Sequence, residues 1–194
     1  MIEYIDKINI KEKINIKEKI ILEFGAGNSK KEGRINIDII NLPETDIVTN
    51  LEKGLPFLPN NSIDEIHATS FLEHISNLDF LMSEIYRVLK PNGSLFVFVP
   101  HFSNPYFYSD YTHKRFFGLY TFSYFSKSNF PFRRKVPKFY NNCNFKIFSI
   151  KLIFKSKILT KIINSRYRLL EIYESYFSFL IPCYGIETEL KAIK

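Results

Sequence analysis

The sequence has few cysteines, no tryptophan and no long apolar run, and these scarcities exclude several classes of protein. Two cysteines in 194 residues, Cys143 and Cys183, cannot build the disulfide framework of a small secreted domain, and neither has a second cysteine or a histidine at metal-ligand spacing nearby. We therefore expect two reduced, structural thiols and no metal site. No stretch approaches the about 18 apolar residues that span a bilayer, and the N-terminus lacks the apolar segment of a signal peptide. The sequence thus predicts a cytoplasmic protein.

Size and composition indicate a single globular domain. Apolar residues make up 45% of the chain and charged residues 24%, as in ordinary globular proteins. A chain of 194 residues buries about two thirds of its surface without disulfides, so we expect residues 1–194 to form one domain. The net charge of +7 suits an anionic partner, but charge by itself governs association rather than chemistry.

The chain is organised around an apolar run, residues 20–28, that ends in an acid and two glycines. In this run Glu23 and Phe24 lead directly into Gly25 and Gly27. A buried strand that stops at Gly-x-Gly leaves a turn without Cβ atoms, so a small ligand can lie against the main chain. The third glycine of the dinucleotide fingerprint is missing. The stretch therefore predicts a nucleotide-type site without a pyrophosphate cradle.

A second strand-like alternation, residues 34–39, carries a carboxylate near its end. In doubly wound folds an acid at this place accepts hydrogen bonds from a ribose diol. Asp38 follows Gly25 by 13 positions, whereas the usual spacing is about 20. The helix between the two strands must therefore be very short.

From these residues onward the sequence resembles the class I S-adenosylmethionine-dependent methyltransferases. Residues 23–27 look like the first motif of that family, and residues 35–38 look like the shortened second motif of its small bacterial and archaeal members. The resemblance covers residues 19–125, and the rest of the chain more loosely. Its further blocks are residues 55–57, 61–66, 72–74 and 84–93.

The order of apolar segments and turns predicts an α/β fold with a mostly parallel sheet. The resemblance implies a Rossmann-like sheet of seven strands with helices on both faces, an aromatic-rich cap after strand five and a final antiparallel hairpin at the sheet edge. The predicted strands are residues 19–24, 34–39, 45–51, 62–68, 94–100, 144–154 and 185–193, and the predicted helices are residues 78–89 and 158–180.

Three segments lie outside the common motifs. Residues 1–18 contain a tandem repeat whose isoleucines fit either a half-buried strand or one face of a helix, and we interpret them as an N-terminal lid or edge extension. Residues 101–140 hold 15 of the 32 Phe and Tyr residues and seven Lys or Arg against the single acid Asp110, which predicts a substrate cap. Residues 156–182 are predicted to form a helical insertion before the last strand.

The resemblance implies S-adenosyl-L-methionine as the cofactor and indicates how the bend would hold it. Main-chain groups of Phe24, Gly25 and Ala26 would contact the methionine part. Glu23 would hold the turn and reach the amino group of the cofactor. Asp38 would accept the hydrogen bonds of the ribose diol.

The adenine would lie beside the third strand. Asn50 stands where the family usually has an aspartate that contacts the adenine amino group, and its amide can still bond an adenine edge. Ile39 would pack on the adenine, Leu51 would touch the base, and Ser70 would lie beside the sulfonium. The predicted cofactor-binding residues are Glu23, Phe24, Gly25, Ala26, Gly27, Asp38, Ile39, Asn50, Leu51 and Ser70.

Catalytic residues are harder to assign, because an activated sulfonium donor needs alignment more than covalent help. His101 follows strand five at the ligand edge of the sheet, and Asp110 and His113 lie in the cap nearby. An aspartate that orients a histidine can draw a proton from an acceptor, so we predict His101, Asp110 and His113 as catalytic. The alternative is that these residues only hold an aromatic loop together. His74 is expected to order the loop over the cofactor.

The resemblance implies methyl transfer to a small-molecule or sugar or glycolipid acceptor. An RNA methyltransferase is the alternative suggested by the basic, aromatic residues 130–140, although a solvated basic turn explains them as well. A cofactor-binding protein without turnover is a third interpretation, because Asn50 departs from the family pattern. Arg166 and Arg168 beside a large apolar face also indicate a peripheral membrane contact.

Overall fold

The computed structural model describes residues 4–16, 18–29, 31–128 and 130–194. Residues 1–3 and Lys17 of the predicted extension, Lys30 beside the glycine bend and Asn129 of the predicted cap lie outside the described residues. The strands are β1 (Ile5–Asp6), β2 (Ile21–Phe24), β3 (Ile35–Asp38), β4 (Ile47–Val48), β5 (Ile63–Thr69), β6 (Leu89–Pro100), β7 (Phe145–Ile153) and β8 (Gly185–Ala192). The α-helices are α1 (Ile10–Asn15), α2 (Leu78–Val88), α3 (Lys157–Ile163) and α4 (Tyr167–Ile172).

The strands form one sheet in the order β1-β4-β3-β2-β5-β6-β8-β7. The five strands from β4 to β6 are parallel to one another. At one end of the sheet β8 runs antiparallel to β6, and the edge strand β7 runs antiparallel to β8. The predicted Rossmann-like, mostly parallel α/β fold is therefore confirmed. The sheet has eight strands rather than seven, because Ile5–Asp6 of the N-terminal extension adds an antiparallel edge strand beside Ile47–Val48.

The N-terminal extension combines both predicted periodicities. Its first described residues form β1, and the isoleucines that follow form the short helix α1, in which Ile10 is fully buried. Both carboxylate oxygens of Asp6 accept main-chain N–H groups at the start of this helix, from Ile8 at 3.0 Å and from Ile10 at 2.9 Å. The strand thus lies before the tandem repeat of residues 7–18, and the helix lies within it.

Helix α2 supplies much of the core on one face of the sheet. The side chain of Asn77 accepts the N–H of Phe80 at 3.1 Å and begins the helix, and the residues at helical spacing behind it are buried. Each such side chain contributes about 1.5–3 kcal/mol when it is removed from water. The helix passes straight into β6, whose first part contains a bulge at Asn92, with φ of 63°. The buried residues of α2 are Leu81, Met82, Ile85 and Val88.

The opposite face of the sheet carries polar side chains in neighbouring strands. Glu23 of β2 lies beside His67 of β5, His67 lies beside Phe96 of β6, and Phe96 lies beside Glu189 of β8. The rings of His67 and Phe96 are stacked at 4.6 Å between centroids. The spacing of Gly25 and Asp38 predicted a very short helix between β2 and β3, but the described residues of this connection form turns and no helix.

The last two strands form the predicted antiparallel hairpin, with helices inserted between them. β8 lies between β6 and β7, and α3 and α4 precede it, followed by a π-helical turn at Tyr173–Phe177. Asn164 covers the outer edge of β7, because its side chain accepts the N–H of Leu152 at 2.9 Å and donates to the carbonyl of the same residue at 2.7 Å. None of the helices in the described ranges is long and apolar enough to cross a membrane.

Both cysteines are free thiols in the interior, as the sequence predicted. Cys143 is 3% exposed and Cys183 is fully buried. Burial raises the pKa of the Cys183 thiol to about 12. The two side chains therefore serve packing.

Candidate functional site

The glycine bend at the end of β2 provides the open main chain that the sequence predicted. Gly25 and Gly27 have φ of 65° and 53°, in the left-handed region that a side chain disfavours. The N–H of Gly25 donates to the carbonyl of Ile37 at 2.9 Å, which ties the bend to β3. A Cβ on Gly25 would lie 2.6 Å from the ring of Phe71, so this position also requires glycine for space.

Asp38 faces the bend from the end of β3. Its Oδ2 accepts the N–H of Gly27 at 3.0 Å, and its Oδ1 accepts the N–H of Ile40 at 3.0 Å. The residue is 9% exposed. Each carboxylate oxygen can accept more than one hydrogen bond, so acceptor capacity remains on the side of the cleft.

A cleft of about 790 Å³ opens beside this pair, at the carboxyl ends of the parallel strands. Open α/β sheets bind ligands at this edge, and a volume of this size is typical of small-molecule sites. Ile39 and Ile40 give the cleft an exposed apolar surface. Six of the ten predicted cofactor residues line it, namely Gly25, Asp38, Ile39, Asn50, Leu51 and Ser70.

The wall after β4 is built around a turn of 3₁₀-helix, Leu51–Lys53. The side chain of Asn50 accepts the N–H of Glu52 at 3.0 Å and so caps this turn, which leaves its amide nitrogen for a ligand. Thr49, also in the wall, has a buried hydroxyl that forms no hydrogen bond with any described residue. A buried hydroxyl without a partner is rare, and this one marks a polar spot beside the cleft.

Ser70 and Phe71 form the opposite wall at the end of β5. Ser70 has φ of 50°, an uncommon conformation for a residue with a side chain, and its N–H donates to the carbonyl of Phe98 at 2.8 Å. Strained residues of this kind cluster at ligand sites. Phe71 packs edge-on against Phe24 and lies above Gly25.

The cap reaches over the cleft through Lys114. Its Nζ donates to Glu52 Oε1 at 3.1 Å and to Ser76 Oγ at 2.8 Å. Glu52 Oε1 also accepts the N–H of Ser76 at 2.9 Å. This set of contacts joins the wall after β4, the loop after β5 and the cap around one carboxylate.

The comparisons with known proteins agree with this geometry. A family model described as a methyltransferase domain matches residues 23–97, which contain the bend, Asp38 and the cleft walls. Over these residues the chain is similar to a methyltransferase domain. The resemblance drawn from the motifs is thereby confirmed, and it implies S-adenosylmethionine as the cofactor. No curated protein sequence matches this one.

Solved structures, methyltransferases among them, share the fold at low sequence identity. A structure described as a SAM dependent methyltransferase from Archaeoglobus fulgidus has a TM-score of 0.58 at 16% identity, with 94% of this chain and 92% of that chain covered. The YcgJ protein of Bacillus subtilis has a TM-score of 0.56 at 15% identity, with 95% and 97% covered. Phosphoethanolamine N-methyltransferase 2 of Haemonchus contortus, in complex with S-adenosyl-L-methionine, has a TM-score of 0.53 at 13% identity, with 90% and 48% covered.

In the methyltransferase, Glu23 does not face the cofactor cleft. Its carboxylate is 3% exposed, and it pairs with Lys31 at 3.2 Å and with Arg34 at closer contact. The two cations hold this carboxylate away from the cleft, which Gly25 lines and Glu23 does not. The predicted hold on the turn fits this geometry, whereas contact with the cofactor amino group does not.

His101 also lies away from the cleft. The ring is fully buried, its Nδ1 accepts the N–H of Ser103 at 3.1 Å, and its Nε2 faces Glu174 Oε2 at 3.2 Å. Glu174 also accepts the N–H of Leu119 at 2.6 Å. Both ring nitrogens are therefore used within the chain, and His101 ties the cap to the helical insertion instead of meeting an acceptor.

The other two predicted catalytic residues lie together in the cap. Asp110 Oδ2 is 3.5 Å from His113 Nε2, so the aspartate pairs with this histidine and not with His101. The rings of His74 and His113 contact each other at 4.8 Å between centroids. His74 and Thr112 line the far end of the cleft.

Several residues of the methyltransferase site were not predicted from the sequence. Glu52 and Lys114 bridge the cleft walls, Phe71 fills the space above Gly25, and Glu73 is buried beside the histidine pair. Only Glu73 carried a signal, since it lies within a motif of the resemblance. The others act through contacts between distant segments, which a single sequence does not display.

Proposed function

We propose that the protein transfers the methyl group of S-adenosylmethionine to a small-molecule, sugar or glycolipid acceptor. The observation that carries the cofactor half of this proposal is the carboxylate of Asp38 bonded to the bend at Gly27 beside an open cleft. For the acceptor half, support comes from the cap, whose aromatic side chains Tyr108, Tyr111 and Phe116 are exposed. Such aromatic surfaces suit the apolar face of a ring.

The cofactor would lie along the bend with its adenosine toward β4. Main-chain groups of Phe24, Gly25, Ala26 and Gly27 hold the methionine part in this proposal, because no Cβ stands between them and the ligand at the two glycines. Asp38 accepts the ribose diol with the lone pairs that its two internal hydrogen bonds leave free.

The base would then occupy the apolar end of the cleft. Ile39, which is 63% exposed, covers one face of the adenine, and Leu51 borders the other side. The amide nitrogen of Asn50 donates to the adenine edge, since the oxygen of that side chain already accepts the N–H of Glu52. Ser70 lies beside the sulfonium in this arrangement.

The chain's own contribution to the reaction is alignment. The bound cofactor supplies an activated methyl group, so the protein must hold an acceptor nucleophile in line with it and exclude water. We assign this task to the far end of the cleft, where Asp110 and His113 bind and orient the acceptor. His101 has no such part, because it is buried and internally bonded.

Release of S-adenosylhomocysteine in the presence of candidate acceptors tests the function. The protein would be incubated with S-adenosylmethionine and, separately, with free sugars, nucleotide sugars, glycolipid extracts and RNA, and the product would be quantified by mass spectrometry. We expect release above background with one of the first three classes. Cofactor binding by calorimetry without release in any mixture would instead identify a binding protein without turnover.

The RNA alternative receives less support from the contacts of the basic segment. The guanidinium of Arg134 lies 5.2 Å from the ring centroid of Tyr120, and Lys135 Nζ donates to the carbonyl of Phe132 at 3.2 Å. Two of the predicted phosphate ligands are thus engaged within the chain. RNA affinity that fell steeply with added salt would revive this alternative.

We also propose a peripheral membrane contact through the helical insertion, which would suit a glycolipid acceptor. At its tip Phe179 and Leu180 are 81% and 77% exposed. The two acids of the insertion turn inward, since Glu171 accepts hydrogen bonds from Tyr120 and from the N–H of Arg133, and Glu174 faces His101. The exposed charges are all positive, which is the pattern of a segment that lies on an anionic bilayer surface. They are Lys157, Lys161, Arg166 and Arg168.

Sedimentation with vesicles tests this contact. We expect the protein to sediment with vesicles that contain anionic lipid, and the double variant Phe179→Ser/Leu180→Ser to stay in solution. Phe139→Ser is the matched control, because Phe139 is 79% exposed but lies in the cap. Equal sedimentation of the double variant and the wild type would contradict the proposal.

A further inference from the structure

Three side chains with metal-ligating atoms converge at the acceptor end of the cleft. Glu73 and His74 belong to the 3₁₀ turn Leu72–His74, and His113 comes from the cap, 39 positions after His74. One ligating atom from each lies within 4.8 Å of the others. The main-chain carbonyl of Glu73 accepts the N–H of Lys114 at 2.7 Å, which fixes the turn against the cap.

The hydrogen bonds of His113 leave one of its nitrogens free to act as a ligand. Its Nδ1 is 2.9 Å from the carbonyl oxygen of Phe107. A carbonyl only accepts, so Nδ1 carries the proton and donates. In the neutral ring Nε2 then presents a lone pair, which is the tautomer that metal sites select through such a second hydrogen bond.

His74 is held in the same tautomer by a relay through Thr112. The hydroxyl of Thr112 donates to Asp110 Oδ1 at 2.6 Å, so its oxygen accepts the hydrogen bond from His74 Nδ1 at 2.9 Å. The lone pair of His74 is therefore on Nε2. Both imidazoles are oriented by acceptors on the protein, as the outer ligands of a metal site orient histidines.

Glu73 adds a carboxylate oxygen without a partner. The residue is 1% exposed, and its Oε2 forms no hydrogen bond with any described residue. An unpaired carboxylate oxygen in the interior is costly unless a cation or a proton compensates it. A second carboxylate oxygen, Asp110 Oδ2, lies 3.5 Å from the nitrogen of His113 that carries the lone pair. A cation between these groups would compensate the unpaired oxygen of Glu73. It would also attract both the carboxylate of Asp110 and the lone pair of His113, which otherwise repel each other.

We propose that Glu73, His74 and His113 bind a divalent transition-metal ion, with Asp110 orienting His74 through Thr112 and the carbonyl of Phe107 orienting His113. Two imidazole nitrogens and one carboxylate oxygen are a donor set of Zn²⁺, Fe²⁺ and Co²⁺ sites that keep an open position. Bonds of about 2.0–2.2 Å place donor atoms roughly 3–4 Å apart, so the ligands need to close only slightly around the ion.

The open position would face the acceptor. His74 and Thr112 line the cleft, so a ligand bound there could complete the coordination with an oxygen atom. This role of the ion rests on the proposed function, whereas binding of the ion does not. The sequence predicted no metal site, because its ligands lie in two segments that only the folded cap brings together.

A titration with Co²⁺ tests the site on the full chain after treatment with a chelator. We expect one Co²⁺ per chain, followed by its visible absorption bands and by calorimetry. His113→Ala and Glu73→Gln should each weaken binding at least tenfold, in line with the loss of a ligand. His67→Ala is the matched control, because it removes an imidazole outside the cluster, and it should bind as the wild type does.

Two results would overturn the proposal. One is the absence of stoichiometric Co²⁺ binding to the wild type, and the other is equal affinity of the His113→Ala and His67→Ala variants. Far-ultraviolet circular dichroism checks that each variant is folded, and Glu73→Gln keeps the side-chain shape if His113→Ala unfolds. The titration contains neither cofactor nor acceptor, so it tests metal binding independently of methyl transfer. If the protein binds Co²⁺ but releases no S-adenosylhomocysteine with any acceptor, the proposed function is wrong and the metal site is still supported.

Discussion

Asp38, which we propose as the ribose-binding acid, also accepts a hydrogen bond from the bend. The two can meet because the described residues between β2 and β3 form no helix. The geometry of the bend and the position of the carboxylate are therefore coupled. Any ligand that draws the carboxylate toward the cleft also acts on Gly27.

Replacing Asp38 should affect cofactor binding directly. We expect Asp38→Ala to weaken S-adenosylmethionine binding at least tenfold, which corresponds to about 1.4 kcal/mol, as measured by calorimetry. Asp79→Ala serves as the control, because Asp79 is an exposed acid of α2 outside the cleft. Equal affinities of the wild type and the Asp38 variant would remove the ribose assignment.

The two thiols should be inert in the native protein. The Sγ of Cys183 donates to the carbonyls of Ile153 and Gly185 at 3.2 Å each, and its pKa of about 12 leaves roughly 10⁻⁴ of the thiol ionised at pH 8. Burial also raises the pKa of Cys143. We expect negligible reaction with Ellman's reagent in buffer and two reactive thiols per chain in denaturant. Rapid labelling of the folded protein would contradict this assignment.

At single residues, the sequence predicted what local chemistry dictates. Gly25 and Asp38 were recognisable because a strand that ends in a Cβ-free turn, or in an acid, limits what the chain can do there. The position of His101 directly after β6 suggested that it faces the cleft, but this position does not reveal that its side chain is buried. Its partner Glu174 lies 73 positions away, in the insertion.

Among the elements, α2 shows how one residue can fix a loop. From the last turn of the helix, Arg87 donates to the carbonyls of Leu55 at 2.8 Å and Leu58 at 2.9 Å and pairs with Glu84. Glu84 in turn accepts the N–H of Leu55 at 2.9 Å. The hydrogen bond from Arg87 lowers the pKa of the Glu84 carboxyl.

Removing the Arg87 guanidinium should destabilise the protein. We expect Arg87→Met to lower the free energy of unfolding by about 2 kcal/mol at pH 7, because charged hydrogen bonds to the loop are lost while the aliphatic stem remains. Denaturation followed by circular dichroism measures the change. The same replacement at the exposed Arg168 should stay within about 0.5 kcal/mol.

The effect of Arg87 should also depend on pH. The pKa of Glu84 is lowered in the folded state, so its pairing contributes stability above the ordinary carboxyl pKa and loses it as the pH falls through the lowered value. The difference between the wild type and Arg87→Met should therefore shrink from pH 7 to pH 3. A difference that did not change with pH would mean that the pair adds nothing beyond neutral hydrogen bonds.

Element boundaries were predicted well where the apolar residues followed one period throughout the element. They were predicted poorly where side-chain capping ended the element early. The observed α2, β7 and β8 agree with their predicted spans within about two residues. The third predicted strand shortened to Ile47–Val48, because Asn50 starts a 3₁₀ turn instead of continuing the strand. Side-chain capping of this kind competes with strand pairing and is not visible in apolar periodicity.

At the scale of the whole molecule, β8 joins parts that are distant in sequence. It pairs with β6 from Ser94 to Pro100 on one side and with β7 from Phe145 to Ile153 on the other. The parallel core and the edge of the sheet therefore share one strand. Seven of the eight strands were predicted from the sequence. The eighth, β1, was not, because the sequence of the N-terminal extension fitted either a strand or a helix.

Deleting β8 should unfold the protein as a whole. We expect a chain ending at residue 184 to lose its cooperative thermal transition, because two strands lose their partner and the buried Ile186 and Leu190 are removed. Deletion of residues 1–9 is the comparison. It removes the edge strand β1, paired on one side only, and should lower the transition temperature without abolishing it. Retention of a sharp transition after deletion of β8 would show that the parallel strands fold alone.

The place of β8 also bears on how the chain is made. A ribosome synthesises β7 about thirty residues before β8, yet β7 has no other strand beside it in the described sheet. During translation both edges of the nascent β7 therefore stay unpaired until β8 is synthesised. Exposed strand edges of this kind bind chaperones or pair with other chains. The helices that Asn164 anchors against its outer edge emerge in that interval, and they can shield the waiting strand until its partner arrives.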